Sequence, residues 1–283
     1  MLLSIVIAIS ALAATGICLW SEVFAGFWWL LLLPVCFLGS FLLLAALIFG
    51  LFVLICSRID PDKPRDTDTP WFRRLVMELV HAIITVLPVR VRLQGREKLP
   101  EDGRFLLVSN HLNNIDPAFF YYCFPKSQLA FVGKKETGSM FLVNKVMPKM
   151  LCPSINREND REALKTILRC IQLLKNDTVS IAVFPEGRIN PYRKLAHFRP
   201  GVFKIAQKAN VPIVVCTLRG TNDVIPRLLK LQGSTVEVRL LDVVTPDRFQ
   251  DMNTVQVADQ IYAMMAQDLG PENVLTPEEE EKS

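Results

Sequence analysis

The sequence predicts an α/β layered domain with a mainly parallel sheet, preceded by a transmembrane helical hairpin. Three observations carry that expectation. From Val89 onward, short apolar strand-like runs alternate with helical stretches. Two of those runs end in compact polar clusters, Asn110 to Asp116 and Phe184 to Arg188. The first 57 residues hold no Lys or Arg and a single acid, Glu22. The remaining 226 residues therefore have net charge +5, from 32 basic and 27 acidic groups. At 283 residues and 51% hydrophobic content the chain is too apolar for an ordinary soluble domain and too charged for a wholly membrane-embedded one. The basic excess suits an anionic partner or a membrane surface, and no nucleic-acid partner is expected. The seven cysteines are scattered without a C-x-x-C pair, and three histidines supply no zinc pattern, so no metal site is expected and the usage fits a reducing cytoplasm.

Residues 1 to 57 read as the hairpin. Leu2 to Trp20 matches one membrane span, since about 20 apolar residues cross a hydrocarbon core of about 30 Å. A cleaved secretory signal is the competing reading; it is disfavoured because no positive n-region is present and apolar character resumes at Val23. Phe27 to Cys56 is longer than a span needs, so it must tilt, overhang into the interface or break near Pro34 or Gly39-Ser40. Trp20, Trp28 and Trp29 flank the connection as interfacial aromatics do. Arg58, Lys63, Arg65, Arg73 and Arg74 follow, whereas the 21 to 26 loop has no basic residue. The positive-inside rule then puts both hairpin ends in the cytoplasm. That locates the protein at the cell membrane with its main domain on the cytoplasmic face.

Residues 58 to 70, with Pro61, Pro64 and Pro70, read as an extended, solvated linker to a domain over 71 to 275. Trp71 to Leu87 spaces its apolar residues as an amphipathic helix, with Arg73, Arg74 and Glu78 off the stripe, to lie on a bilayer or cover the sheet. Strands are expected near 89–94, 105–109, 128–133, 179–184, 212–218 and 234–244. Helices are expected near 160–175, 201–209 and 254–268. Asn159 with Glu162 forms a capping-box-like start for the first of these. Residues 276 to 283, with four consecutive Glu, read as a disordered acidic tail.

The chemistry concentrates at the two polar clusters, since open α/β sheets place their sites at strand carboxyl ends. His111 and Asp116 are five positions apart, a spacing that brings them together only across a turn. Asn113-Asn114 supply turn formers, and Asp116-Pro117 reads as an N-cap followed by a proline at the first helical position. There a neutral His can accept a proton from a hydroxyl while the Asp holds its tautomer. No G-x-S-x-G elbow is present, which disfavours a serine hydrolase.

Four motifs in order strengthen this reading. Asn110, His111 and Asp116 match N-H-x-x-x-x-D, and Phe184 to Arg188 match F-P-E-G-R. Ile155-Asn156-Arg157 matches an apolar residue followed by D-R, with Asn in place of Asp, and Val211-Pro212-Ile213 matches V-P-I. Over about residues 75 to 250 the chain thereby resembles the glycerolipid acyltransferases of the lysophosphatidate acyltransferase (PlsC) type. The resemblance implies a glycerolipid-acyltransferase-like fold and transfer of a fatty acyl group from acyl-CoA or acyl carrier protein to 1-acylglycerol 3-phosphate. That reaction forms phosphatidate in phospholipid synthesis. The resemblance also implies His111 as general base with Asp116. Asn110, Lys134, Arg157, Glu186, Gly187 and Arg188 are then the substrate-binding residues, with Arg157, Arg188 and Lys134 on the acceptor phosphate. Glu186 would orient Arg188 or the acceptor hydroxyl, and Gly187 would let backbone approach the substrate closely. No cofactor is expected beyond the thioester co-substrate; the other partner is membrane lipid, and the oligomeric state stays open. Asn156 departs from the family pattern near the acceptor site, so other acceptors stay open too: glycerol 3-phosphate, another lysophospholipid or a lyso-aminolipid. A non-catalytic lipid-phosphate-binding protein is the alternative from another class.

Overall fold

The computed structural model describes residues 1–20, 26–61, 63, 65–134, 142–156 and 159–281. Two long helices come first, α1 over Leu2–Trp20 and α2 over Trp29–Ser57, each long and apolar enough to cross a membrane. They pack through a stripe of mostly small residues, Val6, Ser10, Ala14 and Cys18, one per turn along α1. The Ser40 hydroxyl donates to the Ser10 carbonyl at 3.2 Å across the pair. Pro34 does not end α2, which runs unbroken for 29 residues. At 1.5 Å per residue that is about 43 Å, enough to cross with tilt or overhang.

Among its described residues, the stretch after α2 forms neither helix nor strand before Pro70 and is largely exposed or half-buried, as a linker, but it is anchored near its end. Asp66 pairs with Arg169 at 2.8 Å, and Asp68 pairs with Arg73 at 2.8 Å. Helix α3, Pro70–Val86, buries Phe72, Val76 and Ile84 while Trp71, Ile83 and Val86 stay exposed, so it covers the domain and keeps an apolar outer edge. Arg73 does not lie on a solvated face as its charge suggested. It is 6% exposed, and its guanidinium donates to the carbonyls of Leu129 and Met150, each at 2.8 Å. A buried guanidinium is tolerable because Asp68 and two carbonyls take its protons.

The main sheet has the order β1-β8-β7-β2-β6-β3. Its strands are β1 Val89–Gln94, β2 Leu106–Val108, β3 Leu129–Phe131, β6 Ser180–Val183, β7 Ile213–Arg219 and β8 Ser234–Val244. Four of its five pairings are parallel, and only β7 with β8 is antiparallel. Strands β2, β3 and β6 are buried at every position, so they read as continuous apolar runs. A separate two-stranded parallel pair joins β4 Gly133–Lys134 to β5 Ser154–Ile155.

The helices of the domain are α4 Asp116–Cys123, α5 Val143–Lys149, α6 Asp160–Lys175, α7 Lys204–Ala209, α8 Thr221–Leu229 and α9 Thr254–Leu269. Asn159 caps α6, accepting from the backbone of Arg161 and Glu162. The short α5 and α8 lacked sequence signals because each carries an internal proline, Pro148 or Pro226. The acidic tail is not disordered where it is described. Pro277–Glu281 forms α10, and Glu279 and Glu280 bond to Lys194 and His197.

Candidate active site

Strands β2, β3, β6 and β7 run parallel in register, so the segments that leave their carboxyl ends meet on one edge of the sheet. His111 leaves β2 there, Glu186 leaves β6 and Lys134 follows β3. At the β2 corner Asp116 N–H donates to the Asn113 carbonyl at 3.0 Å, closing a turn. Asp116 is the first residue of α4 rather than its cap. Its carboxylate points back into the loop, where a single oxygen, Oδ2, accepts three donors. These are His111 Nδ1 at 2.8 Å, Leu112 N–H at 2.7 Å and Asn113 N–H at 2.9 Å. Asp116 is fully buried, whereas the His111 side chain keeps 17% of its surface. With Nδ1 donating to Asp116, Nε2 is the nitrogen left for another group. The imidazole lies flat on Phe184, ring centroids 4.0 Å apart and planes within 5°, which fixes its orientation.

Asn110 is 1% exposed, and both ends of its amide are used. Nδ2 donates to the Leu218 carbonyl at 2.9 Å, and Oδ1 accepts the Leu218 N–H at 2.8 Å. It ties the end of β2 to β7 and steadies the His111 loop.

The second corner is a four-residue turn in which Gly187 N–H donates to the Phe184 carbonyl at 3.1 Å. Glu186 is 4% exposed. Its Oε1 accepts His111 N–H at 2.8 Å and its Oε2 accepts Ala196 N–H at 3.2 Å. Both bonds go to backbone, so Glu186 braces the histidine's own loop and has little surface to offer a substrate. Burial pushes its carboxyl up to about 8, against the pull of those two N–H donors. Gly187 has φ +82°, where a side chain is strained, and an added Cβ would lie 2.9 Å from Arg199 Nε. The Arg199 side chain lies against the space that the missing side chain leaves.

Arg188 is exposed at the rim, and Lys134 is exposed on β4, paired with Ile155 of β5. Arg157 lies outside the described residues. Asn156 Nδ2 donates to Glu162 at 2.9 Å, an interaction that an aspartate there could not make. Two arginines of the cationic stretch after the second cluster also serve this edge. Arg193 donates to the Leu112 carbonyl at 2.6 Å, and Arg199 fills the space over Gly187. Only their place in a cationic stretch directly after the second cluster hinted at that role.

A carboxylate–imidazole pair with an open Nε2 can take a proton from a hydroxyl, and cations around it can hold an anionic substrate. Known proteins resemble the chain in sequence and in fold. A family model described as Acyltransferase matches residues 90–219. A probable 1-acyl-sn-glycerol-3-phosphate acyltransferase of Mycoplasma pneumoniae is 28% identical over 204 residues, 68% of this chain and 76% of that protein. A 1-acyl-sn-glycerol-3-phosphate acyltransferase of Chlamydomonas reinhardtii is 29% identical over 252 residues, 84% of this chain and 69% of that protein. In fold, the crystal structure of the 1-acyl-sn-glycerophosphate acyltransferase PlsC from Thermotoga maritima superposes with a TM-score of 0.59 at 23% identity, covering 78% of this chain and 87% of that one. With the motif order, the sheet and the two polar corners, these likenesses make the chain similar to 1-acyl-sn-glycerol-3-phosphate acyltransferases in sequence and to PlsC in fold.

Proposed function

We propose that the protein transfers a fatty acyl group from an acyl-CoA or acyl carrier protein thioester to 1-acylglycerol 3-phosphate, forming phosphatidate at the cytoplasmic face of the membrane. The observation that carries the reading is the 2.8 Å bond between His111 Nδ1 and the buried Asp116 carboxylate. His111 Nε2 takes the proton of the acceptor hydroxyl as its oxygen attacks the thioester carbonyl carbon. Asp116 stabilises the imidazolium that forms. Collapse of the tetrahedral adduct breaks the C–S bond, and the thiolate leaves without needing an acid because it is a weak base. The proton held on His111 then passes to thiolate or water, and the base is restored.

Arg188, Lys134 and Arg157 hold the acceptor phosphate. In support of the acceptor, relatives over two thirds of their length carry the name of this activity. In support of the orientation, basic residues follow α2, and the backbone N–H of Leu2 at the start of α1 bonds Glu78 of α3 at 2.9 Å, on the domain side. The hairpin keeps the site where an amphipathic acceptor already resides.

The test is acyl transfer by the detergent-solubilised protein from labelled acyl-CoA and acyl carrier protein to lysophosphatidate, glycerol 3-phosphate and neutral monoacylglycerol. Phosphatidate is the expected product, and His111→Ala is expected to lower the rate roughly 10²–10⁴-fold. A His111→Ala enzyme as fast as wild type would remove the base from the mechanism. Equal rates with the neutral acceptor would remove the phosphate contacts.

A further inference from the structure

The loop that follows the second corner is gripped from two sides. On its inner side Ala196 N–H donates to Glu186 Oε2 at 3.2 Å, and Arg193 reaches the Leu112 carbonyl at 2.6 Å. On its outer side the C-terminal segment lies along it. Leu195 N–H donates to the Asn273 carbonyl at 2.8 Å and Leu275 N–H to the Leu195 carbonyl at 2.9 Å. Beyond that bridge Lys194 Nζ meets both oxygens of Glu279, at 2.8 and 3.0 Å. Glu280 Oε1 meets both the backbone N–H of His197 at 2.9 Å and its Nδ1 at 2.6 Å. The His197 ring rests on Tyr262, centroids 5.0 Å apart. Leu195 and Ala196, between the two ion-paired residues, are buried, so the loop cannot shift without moving the backbone that bonds Glu186.

We propose that Lys194, Glu279 and Glu280 are positioning residues for His111: the acidic helix α10 fastens the 194–197 loop, the loop holds Glu186 through Ala196, and Glu186 holds the backbone N–H of His111. The inference rests on the reading of His111 as the base. Each link is a bond already described, and the three links run from the tail to the His111 backbone with no substrate involved. Fastening matters because Glu186 is a buried carboxyl with two donors. Losing Ala196 leaves one of its oxygens without that partner inside the protein, and the carboxyl then turns, releasing His111 N–H. An acidic helix suits this task because the loop it grips is cationic; the Lys194–Glu279 pair is only partly exposed, so salt screens it incompletely.

The experiment combines amide hydrogen exchange with kinetics on the full-length protein, comparing wild type, Glu279→Lys, Glu280→Gln and the charge swap Lys194→Glu with Glu279→Lys. Breaking the Lys194 pair is expected to speed exchange in the 195–197 and 110–113 peptides and to lower kcat about three- to tenfold with KM unchanged, the scale of a partly exposed ion pair transmitted to one hydrogen bond. The swap is expected to restore both readouts, and Glu280→Gln to give a smaller effect in the same direction. Faster exchange confined to the loop, with the 110–113 peptide and kcat unchanged, would overturn the proposal. So would a change in KM alone, which would make the tail a charge near the substrate. Exchange needs no substrate, so it decides the relay even if the wild type transfers nothing to lysophosphatidate, an outcome that would count against the proposed reaction instead.

Discussion

Two buried carboxylates flank the same histidine, and they are built in opposite ways. Asp116 collects three donors on one oxygen, all from residues three to five positions before it. Glu186 takes two donors on two oxygens, from residues 75 positions before it and 10 after it. The first is a local device that a seven-residue stretch can fold by itself. The second exists only when the 186 turn, the 111 loop and the 196 loop have been brought together. A carboxylate made locally tracks the motif; one made from afar tracks the fold around it.

Removing Asp116 should have the largest effect. Asp116→Asn keeps an acceptor for the two backbone N–H groups but loses the charge, so the rate should fall about 10²–10⁴-fold while the unfolding midpoint barely moves. Asp116→Ala should add a stability loss of about 2–4 kcal/mol, because the Leu112 and Asn113 N–H groups are left without their acceptor. Thermal unfolding of both variants separates the two roles, and equal stability of both would mean that the loop does not depend on Asp116.

Glu186 sharpens the contrast through pH. Its carboxyl sits near 8 in the fold against 4.5 for a free glutamate. Between those values the native state holds a proton that the unfolded chain has released, so stability falls as pH rises through this window. The loss is complete above about 8, and below 4.5 the group contributes no slope. Glu186→Gln should flatten this part of the stability profile, measured as denaturation midpoints at pH 5, 7 and 9. An unchanged slope in the variant would mean that the buried proton belongs to another group.

The smallest effect should come from Gly187→Ala. It forces a side chain into a left-handed conformation costing about 1–2 kcal/mol and presses on Arg199, a flexible side chain able to yield. The expected result is a modest drop in unfolding midpoint with KM for the acceptor little changed. A large rise in KM would show that substrate, not Arg199, uses the space over Gly187.

Much of this was legible in the chain. Strands β2, β3, β6 and β7 announced themselves as short apolar runs, β1 and β8 by alternation, and α6 by its cap at Asn159, because strand burial and capping are written in adjacent residues. The His111–Asp116 pair was legible for the same reason, since turn formers and Pro117 leave the loop few ways to fold. Asn110 and Glu186 were recognisable as members of the site but not by what they hold, since their partners, Leu218, Ala196 and the His111 backbone, are remote in sequence. Arg73 looked like surface and is buried, because the carbonyls that satisfy it belong to β3 and to the end of α5.

The sequence by itself therefore determined the hairpin, the strand set and the His111–Asp116 pair, all set by hydrophobic period and local turn chemistry. Tertiary structure alone decided which buried polar groups brace which loops. A buried donor or acceptor must find a partner, and the fold rather than the neighbouring residues supplies it. The acidic residues 278 to 280 show this most plainly: as composition they read as a solvated tail, and beside Lys194 and His197 they become an ordered helix.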